Sequence, residues 1–175
     1  MAAKFLKPND RFSWAVSLIN PSKTDSILEI GCGTGLLVER IAPLLPNGQI
    51  IAVDRSVSLI KSARKRNQNF IDAGIVQLNL AEYPAFSFED HSFDKIIAFN
   101  MSAFWEKPGQ MLPAIKKHLK STGRLHLLNQ PPFDKTKVLA SRAETVLKEN
   151  NFLVKEVIIE RLDPAPAFCI IATPK

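Results

Sequence analysis

ILEIGCGTGLL, residues Ile27 to Leu37, carries an apolar run into a glycine-dense turn and leaves it as an amphipathic segment. Three glycines at alternate positions, Gly31, Gly33 and Gly35, imply a backbone that bends sharply and that something approaches closely. The acidic Glu29 just before them is the less usual feature.

Working outward, strand and helix signals alternate. Ser26 to Ile30 reads as a short buried strand, and Leu36 to Leu45 as a helix stopped by Pro46 to Gly48. QIIAVD is strand-like up to Asp54, and a helix is expected over Val57 to Asn67. A weaker strand follows at Ile75 to Leu78, then the irregular stretch EYPAFSFEDHS. Strand character resumes at Phe93 with FDKIIAF. Pro108 to Lys120 has helical spacing, and STGRLHLLN gives a turn at Gly123 and another strand.

Lys135 to Asn150 is expected to be helical, with Val138, Leu139, Ala143, Val146 and Leu147 at helical spacing. Upstream, Asn9 or Asp10 can cap a leading helix that puts Phe12, Ala15, Val16 and Ile19 on one face. The last two strands, FLVKEVIIE and AFCIIAT, are separated only by RLDPAP, too short for the crossover that parallel neighbours need. If adjacent, they pair antiparallel. The expected fold is therefore α/β: a Rossmann-like, doubly wound seven-stranded sheet, mostly parallel, whose last strand is antiparallel.

Composition bounds the function classes. At 175 residues, 46% hydrophobic and 23% charged, the chain reads as one domain, residues 1–175, with a leading helical segment at 1–24 and a core at 25–175. Neither a signal peptide nor an apolar run of membrane-spanning length is visible, which points to the cytoplasm. Cys32 lies in the glycine turn and Cys169 in a late apolar run; two cysteines make neither a disulfide framework nor a metal cage, so no metal is expected. The formal charge of +6 leaves RNA open as a partner. The densest basic run, Lys61 to Arg66, falls at the expected end of a helix, where cations complement the dipole. Oligomeric state is not legible.

In open α/β sheets ligands settle beyond the carboxyl ends of the strands, where this turn falls. Asp54, nineteen residues after Gly35 and ending the second strand, can accept hydrogen bonds from both hydroxyls of a ribose. That applies to nicotinamide dinucleotides and to S-adenosylmethionine alike. GCGTG departs from the dinucleotide spacing, with Leu36 where Gly or Ala is needed for close helix packing. Glu29 would repel a pyrophosphate but attract a ligand carrying an ammonium and a sulfonium. The terminal antiparallel pair is foreign to a simple dinucleotide domain. All three favour the methyl donor.

ILEIGCGTG, IAVDRS, HSFDKIIAFN and STGRLHLL, in this order and followed by a helix and two closing strands, resemble the class I S-adenosylmethionine-dependent methyltransferases. The resemblance covers nearly the whole chain from Ser26 onward. It implies that Glu29 and the turn Gly31, Cys32, Gly33, Thr34 and Gly35 flank the methionine part of the donor, that Asp54 holds the ribose, and that Arg55 and Ser56 border the adenine. Where relatives place an acid against the adenine amino group this chain has Leu80, so Asn79, Glu82 or the backbone near Ala81 takes that role. Asn100 resembles the position facing the methionine part and the incoming acceptor. The product is S-adenosylhomocysteine.

Methyl transfer needs alignment of nucleophile, carbon and sulfur more than it needs a base. His91, His118 and His126 read as structural or solvated, His118 on a surface helix, and no catalytic residue is assigned. NQPPF, Asn129 to Phe133, reads as a rigid proline turn. Met101, Phe104 and Trp105 either make an apolar acceptor pocket or pack into the core, and Phe5, Phe12 and Trp14 read as packing in preference to a lid. With no added domain to grip a macromolecule, a small-molecule acceptor is favoured, ahead of RNA or protein methylation or a non-catalytic donor-binding subunit.

Overall fold

The computed structural model describes residues 10–86, 88, 91–101, 103–132 and 135–175. Asn9, Phe5 and Phe133 therefore lie outside the described residues. The strands are β1 (Ser26–Ile30), β2 (Gln49–Asp54), β3 (Val76–Leu80), β4 (Phe93–Phe99), β5 (Leu119–Asn129), β6 (Phe152–Glu160) and β7 (Ala167–Pro174). They form one sheet in the order β3-β2-β1-β4-β5-β7-β6. β1 to β5 are parallel, and β7 runs antiparallel to both its neighbours, as the short connection after β6 requires. Strand order reverses between β1 and β4, which opens a crevice at the carboxyl ends of those two strands.

The helices are α1 (Arg11–Ile19), α2 (Leu36–Ile41), α3 (Val57–Asp72), α4 (Ala103–Glu106), α5 (Pro108–His118) and α6 (Thr136–Glu149). Central strands are apolar on both faces because both are covered. Leu28, Ile30 and Ile96 pack with Phe104, Leu112 and Ala143, whereas Ile27, Ile50 and Ile97 pack with Ala15, Leu37 and Ala63. Each leucine, isoleucine or phenylalanine among them, removed from water, contributes about 1.5–3 kcal/mol. Asp10 caps α1 by accepting from the Phe12 amide and also pairs with Arg40 at 2.5 Å, fixing the leading helix to α2.

Several local expectations are corrected. α3 extends to Asp72, so the basic run lies in mid-helix and the dipole rationale does not apply. Two of its cations are instead used structurally: Arg64 donates to the Leu78 carbonyl at 3.2 Å, and Arg66 to the Thr34 carbonyl and to Glu39, both at 3.1 Å. β3 begins at Val76 and continues to Leu80. A short helix, α4, follows β4 where none was expected.

α5 ends at His118, and Lys120 and Gly123 belong to β5. Pairing there jumps from Phe93↔Leu119 to Lys95↔Arg124, so two residues of β4 span five of β5 and the expected turn is an irregularity within a strand. His118 is buried at the end of α5, not on a surface helix. On α6, Thr136, Ala140, Ala143 and Leu147 face inward while Val138 is 71% exposed. Among the described residues no helix is long and apolar enough to cross a membrane.

Candidate active site

The Gly31 and Cys32 amides both donate to the Val53 carbonyl, at 2.8 and 3.1 Å, which draws the turn over the end of β2. All three glycines have positive φ, 73°, 55° and 73°, a region that costs other residues roughly 1–2 kcal/mol. The reason for glycine differs at each. A Cβ on Gly35 would meet Asn67 Nδ2 at 2.6 Å and the Ala63 Cβ at 2.9 Å, because α3 packs directly on the turn. A Cβ on Gly31 would meet Met101 Sδ at 2.5 Å. At Gly33 no described residue other than its chain neighbours lies within 4 Å of such a Cβ, so of the three this glycine faces open space. Asn67, fully buried, fastens α3 to the turn by donating to the Gly35 carbonyl at 3.1 Å.

Asp54 closes the other side. Its Oδ2 accepts from the Gly33 amide and its Oδ1 from the Ser56 amide, both at 2.9 Å, so one carboxylate joins the glycine turn to the start of α3. Ser56 itself caps α3 by accepting from the Leu59 amide. Glu29 is 3% exposed, and among the described residues its buried Oε2 has no partner. Burial, and after it the neighbouring Asp54 charge, pushes its carboxyl up to about 8. A buried acid with an unused acceptor, next to a turn with open space at Gly33, is the donor set that a cationic, N–H-bearing ligand fits.

The remaining candidates separate. Thr34 lends its carbonyl to Arg66. Cys32 is buried, and burial together with Glu29 and Asp54 drives its thiol pKa far up, leaving a packing residue. Arg55 is exposed and 3.9 Å from the exposed Glu82. The Ala81 amide is taken by the Asp54 carbonyl at 3.0 Å, while Asn79 Nδ2 is buried without a partner and Leu80 is 49% exposed. Val57, 68% exposed at the start of α3, was not singled out by the sequence reading; an apolar residue directly after an N-cap was the available signal.

Asn100 directly follows β4 with φ 57°, held by its amide to the Leu128 carbonyl and by its Oδ1, which accepts from the Gln130 amide at 2.7 Å. Met101 is half-buried against Gly31. Phe104 is 1% exposed and belongs to the core, so it lines no open pocket; Trp105 is half-buried near Phe168. Phe12 packs edge-on against Phe99 at 5.6 Å and Trp14 joins the same core, in keeping with packing.

The histidines serve the fold. His91 Nε2 bonds the Ser26 hydroxyl at 2.8 Å at the start of β1, the end of that strand away from the turn. His118 lies 3.3 Å from the Tyr83 hydroxyl, and burial lowers its pKa. His126 is buried in β5, where burial and then the cations Lys95 and Arg124 bring it down to about 4.

Gln130 was missed as a site-shaping residue. Its Nε2 donates to the Asp163 and Ala165 carbonyls at 3.1 and 2.8 Å, and its Oε1 accepts from Arg11 at 3.4 Å. A cavity of about 630 Å³ lies between the loop it supports and the start of α6, bordered by Thr136, Ile159, Arg161 and Leu162. Among the described residues no group of three or more His, Cys, Asp or Glu could hold a metal.

A doubly wound sheet with a positive-φ glycine turn after its first strand and acids closing the first two strands defines a Rossmann-like, nucleoside-ligand-binding domain. Residues 28–125, more than half of the chain, match the methyltransferase domain family. The chain belongs to this family, within the class I S-adenosylmethionine-dependent methyltransferases.

It is 30% identical over 139 residues to a ubiquinone/menaquinone biosynthesis C-methyltransferase of Pseudomonas savastanoi, covering 73% of this chain and 54% of that one. An uncharacterized methyltransferase of Bacillus subtilis is 22% identical over 91% of this chain and 88% of its own. A solved S-adenosylmethionine-dependent methyltransferase from Aquifex aeolicus superposes with a TM-score of 0.77 at 15% identity, covering 94% and 90% of the two chains. The chain spans 31%, 14% and 43% of the length of three other curated relatives it matches.

Proposed function

We propose that this chain transfers the methyl group of S-adenosylmethionine to a small-molecule acceptor. The observation that carries the reading is the buried Glu29, whose Oε2 has no partner among the described residues, near the open Gly33. When bound, S-adenosylmethionine supplies a methyl carbon already activated by its sulfonium. Gly33 leaves room for the ligand's close approach, Glu29 balances its positive charge, and Asp54 has the acceptor capacity for ribose hydroxyls. Leu80 and Val57, both exposed near the Asp54 end of the crevice, offer apolar surface for a base. Asn100 and Met101, leaving β4, form the side from which the acceptor arrives, and two hydrogen bonds hold Asn100 in place for that alignment.

Support for a small acceptor comes from a relative named as a ubiquinone/menaquinone biosynthesis C-methyltransferase, and another is named as a malonyl-[acyl-carrier protein] O-methyltransferase. The commitment of Arg64 and Arg66 to the fold lessens the case for RNA.

Calorimetric titration with S-adenosylhomocysteine, beside nicotinamide dinucleotide, tests the cofactor. Micromolar binding of the first alone supports the reading, and binding of neither overturns it. A screen with labelled donor then tests the acceptor: turnover on tRNA that weakens with salt would replace the small-molecule reading, and binding without turnover on any acceptor would make this a donor-binding subunit.

A further inference from the structure

Glu29 is flanked in register by Ala52 of β2 and Ile97 of β4, so the neighbouring strands bring no charge at its level. The titratable groups that bear on it are the Asp54 carboxyl and the Cys32 thiol, neither of them cationic. On the helices of this face Lys61 and Lys65 are exposed to solvent, and the arginines are occupied. Arg40 of α2 bonds Asp10 and Ser13, Arg11 of α1 lies against the Phe12 and Phe99 rings and reaches Gln130, and Arg66 of α3 pairs with Glu39 of α2. α3 presents to the turn the neutral Asn67 and Ala63, and Arg66, which donates to the Thr34 carbonyl and pairs with Glu39. With no cation among the described residues bearing on it, the enclosed carboxyl keeps its proton in the free protein.

A ligand cation at this position reverses the balance, because an opposite charge within a few ångströms favours the carboxylate. Of the donor's two cationic groups, only the ammonium has N–H bonds with which to satisfy the unpartnered Oε2; a sulfonium has none. We propose that the ammonium of the donor, on the reading given above, displaces the Glu29 proton to solvent on binding, so that affinity climbs as pH rises through neutrality. The carboxylate formed pairs with the ammonium, and the proton passes to the buffer.

The test is calorimetric titration of the whole chain with S-adenosylhomocysteine in phosphate and in Tris, whose ionisation enthalpies differ. The expected result is release of roughly one proton at neutral pH and an affinity rising about tenfold per pH unit below pH 7, flattening in the alkaline range. Methylthioadenosine, which lacks the amino-acid half, is expected to bind without releasing a proton, and E29Q to bind S-adenosylhomocysteine with a buffer-independent enthalpy. Tight binding of S-adenosylhomocysteine to the wild type with the same enthalpy in both buffers would overturn the proton linkage while leaving the donor assignment standing. Proton release with methylthioadenosine would overturn the ammonium's part. Failure of S-adenosylhomocysteine to bind at any pH would remove the donor assignment and this inference together. Should E29Q fail to fold, the wild-type buffer series decides alone.

Discussion

The Gly33 amide donates to Asp54 Oδ2 at 2.9 Å, so the acid that ends β2 is a strut of the glycine turn as well as a candidate ribose acceptor. Its other oxygen holds the Ser56 amide. The two roles share one carboxylate, and a ribose must be accommodated on the lone pairs that these amides leave free.

Asp54→Ala is therefore expected to do two things at once. Donor affinity falls by about 1–3 kcal/mol, and the free protein loses stability of similar size because two amides lose their acceptor. Titration with S-adenosylhomocysteine and urea unfolding measure the two effects separately. Lost affinity with unchanged stability would show that the strut carries no weight; unchanged affinity would show that the ribose lies elsewhere.

The turn was legible because glycine at alternate positions after an apolar strand has a backbone meaning that needs no tertiary information. Asp54 was legible as the end of a strand, but its strut role depends on how far the turn leans over β2, which only the assembled sheet fixes. The same limit explains the misses. The irregularity of β5 exists because β4 and β5 change register between Phe93 and Lys95, a tertiary fact. His118 was placed on a surface because Lys116 and Lys117 precede it, yet Tyr83 and Phe88 from the loop after β3 cover it. Gln130 falls within the stretch read as a rigid proline turn, and its four partners come from segments far apart in sequence.

Glu29 sets a pH dependence of stability in the free protein. Its folded pKa, about 8, is above the ordinary 4.5, so between these values the unfolded chain gives up a proton that the folded chain keeps. Stability from this group is complete below pH 4.5 and is lost as pH rises toward 8. E29Q removes the titration, so its advantage over the wild type should grow across that window by on the order of a few kcal/mol. Urea midpoints of both proteins at the two ends of the window measure it. A constant difference would mean that Glu29 is already ionised at neutral pH.

His126 acts in the opposite direction. Burial brings its pKa from 6.5 to about 4, so below 6.5 the unfolded chain takes up a proton that the folded chain refuses. Stability is complete above 6.5 and is lost as pH falls toward 4. His126→Leu should flatten the acid side of the stability profile, read as a smaller change in unfolding midpoint on going from neutral to mildly acid pH. An undiminished change would assign the acid sensitivity to other groups.

The three glycines of the turn should respond differently to alanine. All three substitutions incur the positive-φ strain, roughly 1–2 kcal/mol. Gly35→Ala adds a collision with Ala63, whose Cα is 3.2 Å away on α3 and cannot swing aside, so overpacking adds about 1–3 kcal/mol. Gly31→Ala meets the end of the flexible Met101 side chain, which can move, and its stability loss should stay near the strain alone. Gly33→Ala meets none of the described residues, so its methyl group projects into the space assigned to the donor. The expected order of destabilisation is Gly35→Ala above the other two, while Gly33→Ala should show the greatest loss of S-adenosylhomocysteine binding relative to its loss of stability. Urea unfolding paired with calorimetry reads both quantities on the same samples. Wild-type affinity in Gly33→Ala would place the donor away from the turn and dissolve the site as drawn.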